Sequence, residues 1–123
     1  MIISADFDGI IARSCWPAIG EPVPGALETL QQWHTDGHKV VIWTCRAGRE
    51  LAACKQWLDA HNVPYDTIDA NLPERIEIYG GSDTRKVSAD LYVNDRAAGA
   101  PSDPVKLWAL ARERVSQLTR KEA

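Results

Sequence analysis

The chain opens on Met1-Ile2-Ile3-Ser4-Ala5-Asp6-Phe7-Asp8-Gly9-Ile10, a short apolar run that ends in two carboxylates and a glycine. A run of this length, closed by a turn residue, predicts a buried strand. In an open α/β sheet, ligands bind beyond the carboxyl ends of the strands, and this strand delivers its acids there. Asp6 and Asp8 are two residues apart, so on extended backbone their side chains share one side. Gly9 lets the chain turn with no Cβ in the way. Two like charges held this close are unfavourable unless a cation or a function retains them.

Downstream, strand and helix patterns alternate. Ile11 to Val23 reads as a loop carrying Cys15, Trp16 and Pro17. A helix is expected from Pro24, with Leu27, Leu30, Trp33 and His34 recurring at helical spacing until Gly37 ends the run. Val40-Val41-Ile42-Trp43 is a compact strand leading into Thr44-Cys45-Arg46, and Ala47 to Ala60 is a second helix. A strand around Tyr65 to Ala70 follows, and Leu91-Tyr92-Val93 is another, ending in Asn94-Asp95-Arg96. The last helix starts at Pro104 behind Asp103, a natural N-cap. Between Leu72 and Ser88 the rhythm breaks, and the pattern allows either a small hairpin around Gly80-Gly81 or a long loop. Such alternation predicts an α/β fold: a mainly parallel sheet with helices on both faces.

The 123 residues are enough for one domain with a real core, spanning 1–123, and show no repeat or second domain. A net charge of −3 gives no electrostatic case for nucleic acid or an anionic membrane surface. No apolar run approaches membrane-spanning length, and the opening residues do not read as a signal peptide. Three cysteines, Cys15, Cys45 and Cys54, have no metal-type spacing, so a reduced, cytoplasmic protein is expected.

Collected by position, Asp6 and Asp8 end the first strand, Thr44 the second, and Asn94 and Asp95 the last, with Lys86 shortly before it. If the strands are parallel, all face one crevice. Carboxyl and amide oxygens suit Mg²⁺, which prefers oxygen ligands and keeps several waters. An acidic nucleophile, a hard cation and a lysine are what phosphoryl transfer asks for, because negative charge spreads over the phosphoryl oxygens.

In these features the chain resembles the haloacid-dehalogenase-like (HAD) superfamily of hydrolases. The first motif of that superfamily, Asp-x-Asp-Gly, is here Asp6-Phe7-Asp8-Gly9; the second, a Ser or Thr ending the next strand, is Thr44. The third, a lysine, is matched by Lys86, although Arg85 stands beside it, and the fourth, an acidic pair, by Asn94-Asp95. Ser88 to Arg96 is also similar to the corresponding segment of 5'(3')-deoxyribonucleotidases. The resemblance implies a three-layer Rossmann-like fold and a phosphatase that works through an aspartyl-phosphate on Asp6. Asp8 would be the general acid and base, a task that needs a proton near neutral pH. Asp6, Asp8 (through its backbone carbonyl), Asn94 and Asp95 would hold Mg²⁺, while Thr44 and Lys86 grip the phosphoryl oxygens. Arg46, directly after Thr44, is a further phosphate-binding candidate, and Arg96 occupies the equivalent place after Asp95.

Three positions depart from the pattern. Ile10 stands where the superfamily usually has Thr, Asn94 removes one charge from the acidic pair, and the third-motif cation is ambiguous between Arg85 and Lys86. The segments 11–23 and 72–85 are too short for a cap domain, so the resemblance implies a capless member. Its site would be open to phosphorylated small molecules, nucleotides or larger substrates, or covered by a second copy of the chain in a homo-oligomer. Trp16, in the loop beside the nucleophile, is placed for substrate contact or for plain loop packing. A cysteine-phosphatase loop at Cys45 fails, because its Arg would fall where the chain has Leu51. The remaining alternative is a non-catalytic binding or scaffold module on the same fold, with Ile10 and Asn94 as marks of a decayed site.

Overall fold

The computed structural model describes residues 1–122. Its elements in chain order are β1 (Ile2–Asp6), β2 (Ala12–Cys15), β3 (Ala18–Pro22), α1 (Ala26–Thr35), β4 (Lys39–Trp43), α2 (Gly48–Ala60), β5 (Thr67–Ile68), α3 (Pro73–Ile78), β6 (Leu91–Val93) and α4 (Pro104–Glu122). The main sheet has the order β5-β4-β1-β6, and each neighbouring pair is parallel. The fold is therefore mixed α/β, consistent with a Rossmann-like arrangement. Asp6 lies opposite Trp43, and Ala5 opposite Val93, so β1, β4 and β6 all end at one level.

The two faces of the sheet are covered unequally. Ile3, Ala5, Phe7, Val40, Ile42 and Val93 share one face and meet Leu30 and Trp33 of α1, Cys54 and Leu58 of α2, and Trp108 and Ala111 of α4 in a single core. The opposite face buries only Ile2 and Val41 beneath Leu72 and Val87, with Trp43 and Ala89 at the margin. Helices on both faces were expected. They are present on both, but unequally: three helices cover one side, and the other lies under segment 72–89 with the six-residue α3. Asn71 ties that layer down: its amide donates to Asp83 Oδ1 at 2.8 Å, and its Oδ1 accepts from Ser88 N at 2.6 Å.

Other boundaries depart from the sequence reading for local reasons. The expected loop 11–23 is an antiparallel hairpin, β2–β3, whose turn carries Trp16 and Pro17. Its residues are mostly exposed and do not alternate, so period-two patterning could not find it. Gly20 permits the pairing, because a Cβ there would lie 2.5 Å from the carbonyl oxygen of Arg13. No hairpin forms at Gly80-Gly81; these glycines take positive φ just after α3 and end it. Helix α1 starts at Ala26 rather than Pro24 because Gly25 adopts the left-handed conformation before it. The strand expected at 65–70 shrinks to Thr67–Ile68, whereas Asp103 does cap α4, accepting from Val105 N at 3.0 Å.

Ile10 is core. It is fully buried, and its carbonyl accepts the indole N–H of Trp108, also fully buried, at 2.6 Å. Trp108 thereby pins the turn after β1 to α4, and the residue at position 10 serves packing. Trp108→Phe removes the donor and strands the Ile10 carbonyl, which costs about 1–3 kcal/mol, with a further cavity term. Urea unfolding should show a total loss of about 2–4 kcal/mol; a loss under about 0.5 kcal/mol would mean the bond carries no weight.

Candidate active site

Parallel register brings the strand-terminal residues together. Asp6 ends β1, Thr44 follows β4, and Asn94 and Asp95 follow β6, all at the carboxyl edge of the sheet. There Asp6, Asp8, Thr44, Cys45 and Arg96 line a cleft of about 340 Å³ together with Phe7 and Trp43. Its lining carries two carboxylates from the end of β1 and one arginine.

Burial pushes the Asp6 carboxyl up to about 6, the nearby Asp95 charge adds to the rise, and Arg96 pulls against it. Desolvation and a second carboxylate are what a cation would relieve. Asp8 is engaged differently. Its two oxygens accept from Nε and Nη2 of Arg46, both at 2.8 Å, in a bidentate pair. Arg46 also donates to the carbonyls of Pro17 (3.0 Å) and Ala18 (2.9 Å), and its guanidinium lies 5.0 Å from the Trp16 ring centroid and 5.7 Å from that of Phe7. Four of its five N–H donors are therefore occupied by the protein itself. The bond to Asp8 raises the Arg46 pKa further, against the opposing effect of burial.

Thr44 is held on both sides. Its N–H donates to Asp69 Oδ1 at 2.8 Å, and its hydroxyl oxygen accepts from Arg46 N at 3.0 Å. The hydroxyl proton is donated in no hydrogen bond among the described residues, so it is available to a ligand. Asp69 sits at positive φ just beyond β5, with its own N–H on Ile42 O at 2.9 Å. Burial raises its pKa and the Thr44 N–H lowers it. Sequence reading missed Asp69, because the pairing spans twenty-five residues and only the fold brings it to Thr44.

Asp6, Asp8, Thr44, Asn94 and Asp95 thus come to one edge, as expected. Two phosphate-binding candidates do not behave as expected. Arg46 is consumed by Asp8 and the hairpin. Lys86 lines a separate groove with Arg75, Thr84 and Ser88, its ammonium 5.9 Å from the Tyr92 ring centroid. The cation in the cleft is Arg96.

No group of three or more His, Cys, Asp and Glu side chains is arranged to hold a metal among the described residues. A site for Mg²⁺ needs less, since that ion is commonly held by one or two carboxylates together with waters and a substrate phosphate. Asp6 and Asp95 supply two such carboxylates, close enough for each to feel the other's charge. The Asn94 amide oxygen already accepts from Arg96 N at 2.7 Å and is a secondary donor at most.

No family model matches the chain, and no curated protein matches it in sequence. Among solved structures it is similar to a conserved protein from Bacteroides thetaiotaomicron, with 32% identity over 93% of this chain and 91% of that one and a TM-score of 0.76. The chain belongs to that protein's family. A target protein from Vibrio cholerae, 24% identical over 99% of this chain and 98% of its own, has a TM-score of 0.55 and shares the fold. No helix among the described residues is long and apolar enough to cross a membrane.

The raised Asp6 carboxyl has a consequence for stability. Its pKa is 3.8 unfolded and about 6 folded, so the folded state binds the proton more tightly. Stability from this group is present below about pH 4 and is lost as pH rises through about 6. In metal-free buffer, Asp6→Asn should be more stable than the parent at pH 7 by on the order of 1–2 kcal/mol, a gain that shrinks toward zero near pH 3.5. Urea unfolding at both pH values reads this directly; equal stability at pH 7 would contradict it.

Proposed function

We propose that the chain is a Mg²⁺-dependent phosphomonoester hydrolase of the HAD type, with a three-layer Rossmann-like fold and no cap domain. The observation that carries this reading is the meeting of Asp6, Asp8, Thr44 and Asp95 at one sheet edge, around a cleft that also holds an arginine. The strand order β5-β4-β1-β6 and the short connections 11–23 and 72–88 agree with it. Phosphorylated small molecules or nucleotides are the substrate class that such an open cleft admits.

In this reading an Asp6 oxygen attacks phosphorus in line with the departing ester oxygen. The P–O bond to the alcohol breaks, Asp8, loosened from Arg46 and protonated, gives its proton to the departing oxygen, and an aspartyl-phosphate and the Asp8 carboxylate remain. Asp8, with both oxygens accepting from Arg46, has the geometry of a carboxylate, which suits a base. It takes a proton from the water that attacks the acyl-phosphate, releasing inorganic phosphate and restoring Asp6. Protonating a poor leaving group asks Asp8 to loosen from Arg46 first. Good leaving groups avoid that step. The Thr44 hydroxyl donates to a phosphoryl oxygen. Asp6, Asp95 and the Asp8 carbonyl are the donors that would hold Mg²⁺, whose charge would offset that of the phosphoryl oxygens.

One observation favours the second reading, a non-catalytic binding module: the Asp8–Arg46 pair occupies both oxygens of the proposed acid and base. A single experiment separates the two. With Mg²⁺ and p-nitrophenyl phosphate, the parent chain should turn over, EDTA should abolish activity, and Asp6→Asn should lose about 10³-fold or more while remaining folded. No turnover by the parent chain across a panel of phosphorylated metabolites and nucleotides would remove the hydrolase reading and leave the module.

A further inference from the structure

We propose that Arg96 is the side chain that grips the anionic phosphoryl group in the cleft, in place of Lys86 or Arg46. This rests on the phosphohydrolase reading for its substrate, while its geometry stands on the cleft alone. Among the candidate cations, Arg46, Lys86 and Arg96 differ in what they are free to do. Arg46 is 2% exposed and has four of five donors bound by Asp8, Pro17 and Ala18. Recruiting it would strip the half-buried Asp8 carboxylate of its partner and release the hairpin. Lys86 belongs to another groove, with its ammonium against Tyr92.

Arg96 lines the cleft together with Asp6 and Thr44. Its residue is exposed, and its guanidinium has no hydrogen bond or ion pair among the described residues. It is near enough to Asp6 to act on that carboxyl through space. Its backbone is held: Asn94 Oδ1 accepts from Arg96 N at 2.7 Å, which fixes the turn from which the side chain projects. A guanidinium whose donors are unoccupied matches two phosphoryl oxygens with two parallel N–H bonds. Opposite it, the Thr44 hydroxyl supplies a third donor. The anion then lies between Arg96 and Thr44, against Asp6, with its ester group toward solvent.

Calorimetric titration with inorganic phosphate in the presence of Mg²⁺, alongside p-nitrophenyl phosphate kinetics, tests this on the parent chain and on Arg96→Gln, Arg96→Lys and Lys86→Gln. Arg96→Gln should weaken phosphate binding and raise KM by about tenfold to a hundredfold, the loss of a charged hydrogen-bonding partner. Its thermal midpoint should stay with that of the parent. Arg96→Lys should recover part of the binding, since it keeps the charge without the fork. Lys86→Gln should change either quantity by less than about threefold. Parent-like phosphate binding by Arg96→Gln, a larger loss in Lys86→Gln, or no phosphate binding by the parent at millimolar concentration would each overturn the inference. Arg96-dependent binding without any turnover would uphold it and defeat the hydrolase reading. Turnover indifferent to Arg96 would do the reverse.

Discussion

The Arg46–Asp8 pair is the interaction on which the arrangement of this molecule depends. The guanidinium is enclosed between the Phe7 and Trp16 rings and ties three separate stretches together: the turn after β1, the loop after β4, and the tip of the β2–β3 hairpin. A buried charge without partners would be severely unfavourable, and here every partner has good geometry. Removing either member leaves the other unpaired, so the two positions are coupled. Backbone bonds join Ala12 to the turn after β1, but among the described residues no other side chain hydrogen-bonds the hairpin to the strand ends.

Around that pair, the parallel sheet does the positioning. Equal registers along β1, β4 and β6 bring their last residues to one level, and the side chains just beyond them meet without any long loop. The core on the α1–α2–α4 side supplies the rigidity. Trp33 and Trp108 pack at 5.7 Å, Phe7 meets Trp57 edge-on at 5.4 Å, and Trp108 reaches through to the turn that follows the acids. A carboxyl such as Asp6 can then be held partly desolvated, since the backbone beneath it cannot relax toward water.

Much of this was legible in the primary structure. Buried strands announce themselves as short apolar runs, and the polar residue after each run falls at the sheet edge, so Asp6, Asp8, Thr44, Asn94 and Asp95 could be placed from local pattern alone. Arg46 and Lys86 could not. Which partner a long cationic side chain takes depends on contacts such as Pro17 and Tyr92, far away or on the other face, that no spacing rule encodes. The hairpin was hidden for a related reason: its strands are exposed and are stabilised by a side chain from elsewhere. Asp69 and Asn71 work entirely through partners twelve or more residues distant, and nothing in their neighbourhoods marks them.

The lopsided covering of the sheet divides the molecule into a part that must be kept and a part that can vary. On one side, a change in any helix is felt through twenty buried residues in a common core. On the other, the layer from 72 to 89 rests on four buried apolar residues, the side-chain amide of Asn71 and the partly exposed ion pairs Lys39–Glu74 and Arg75–Asp90. Opening that layer breaks few contacts, so its local unfolding free energy is set separately from that of the whole domain. Length and composition can therefore drift there at little thermodynamic penalty. Homologues are free to elaborate this face, and with it the groove beside Lys86, while the acids at the sheet edge stay where they are.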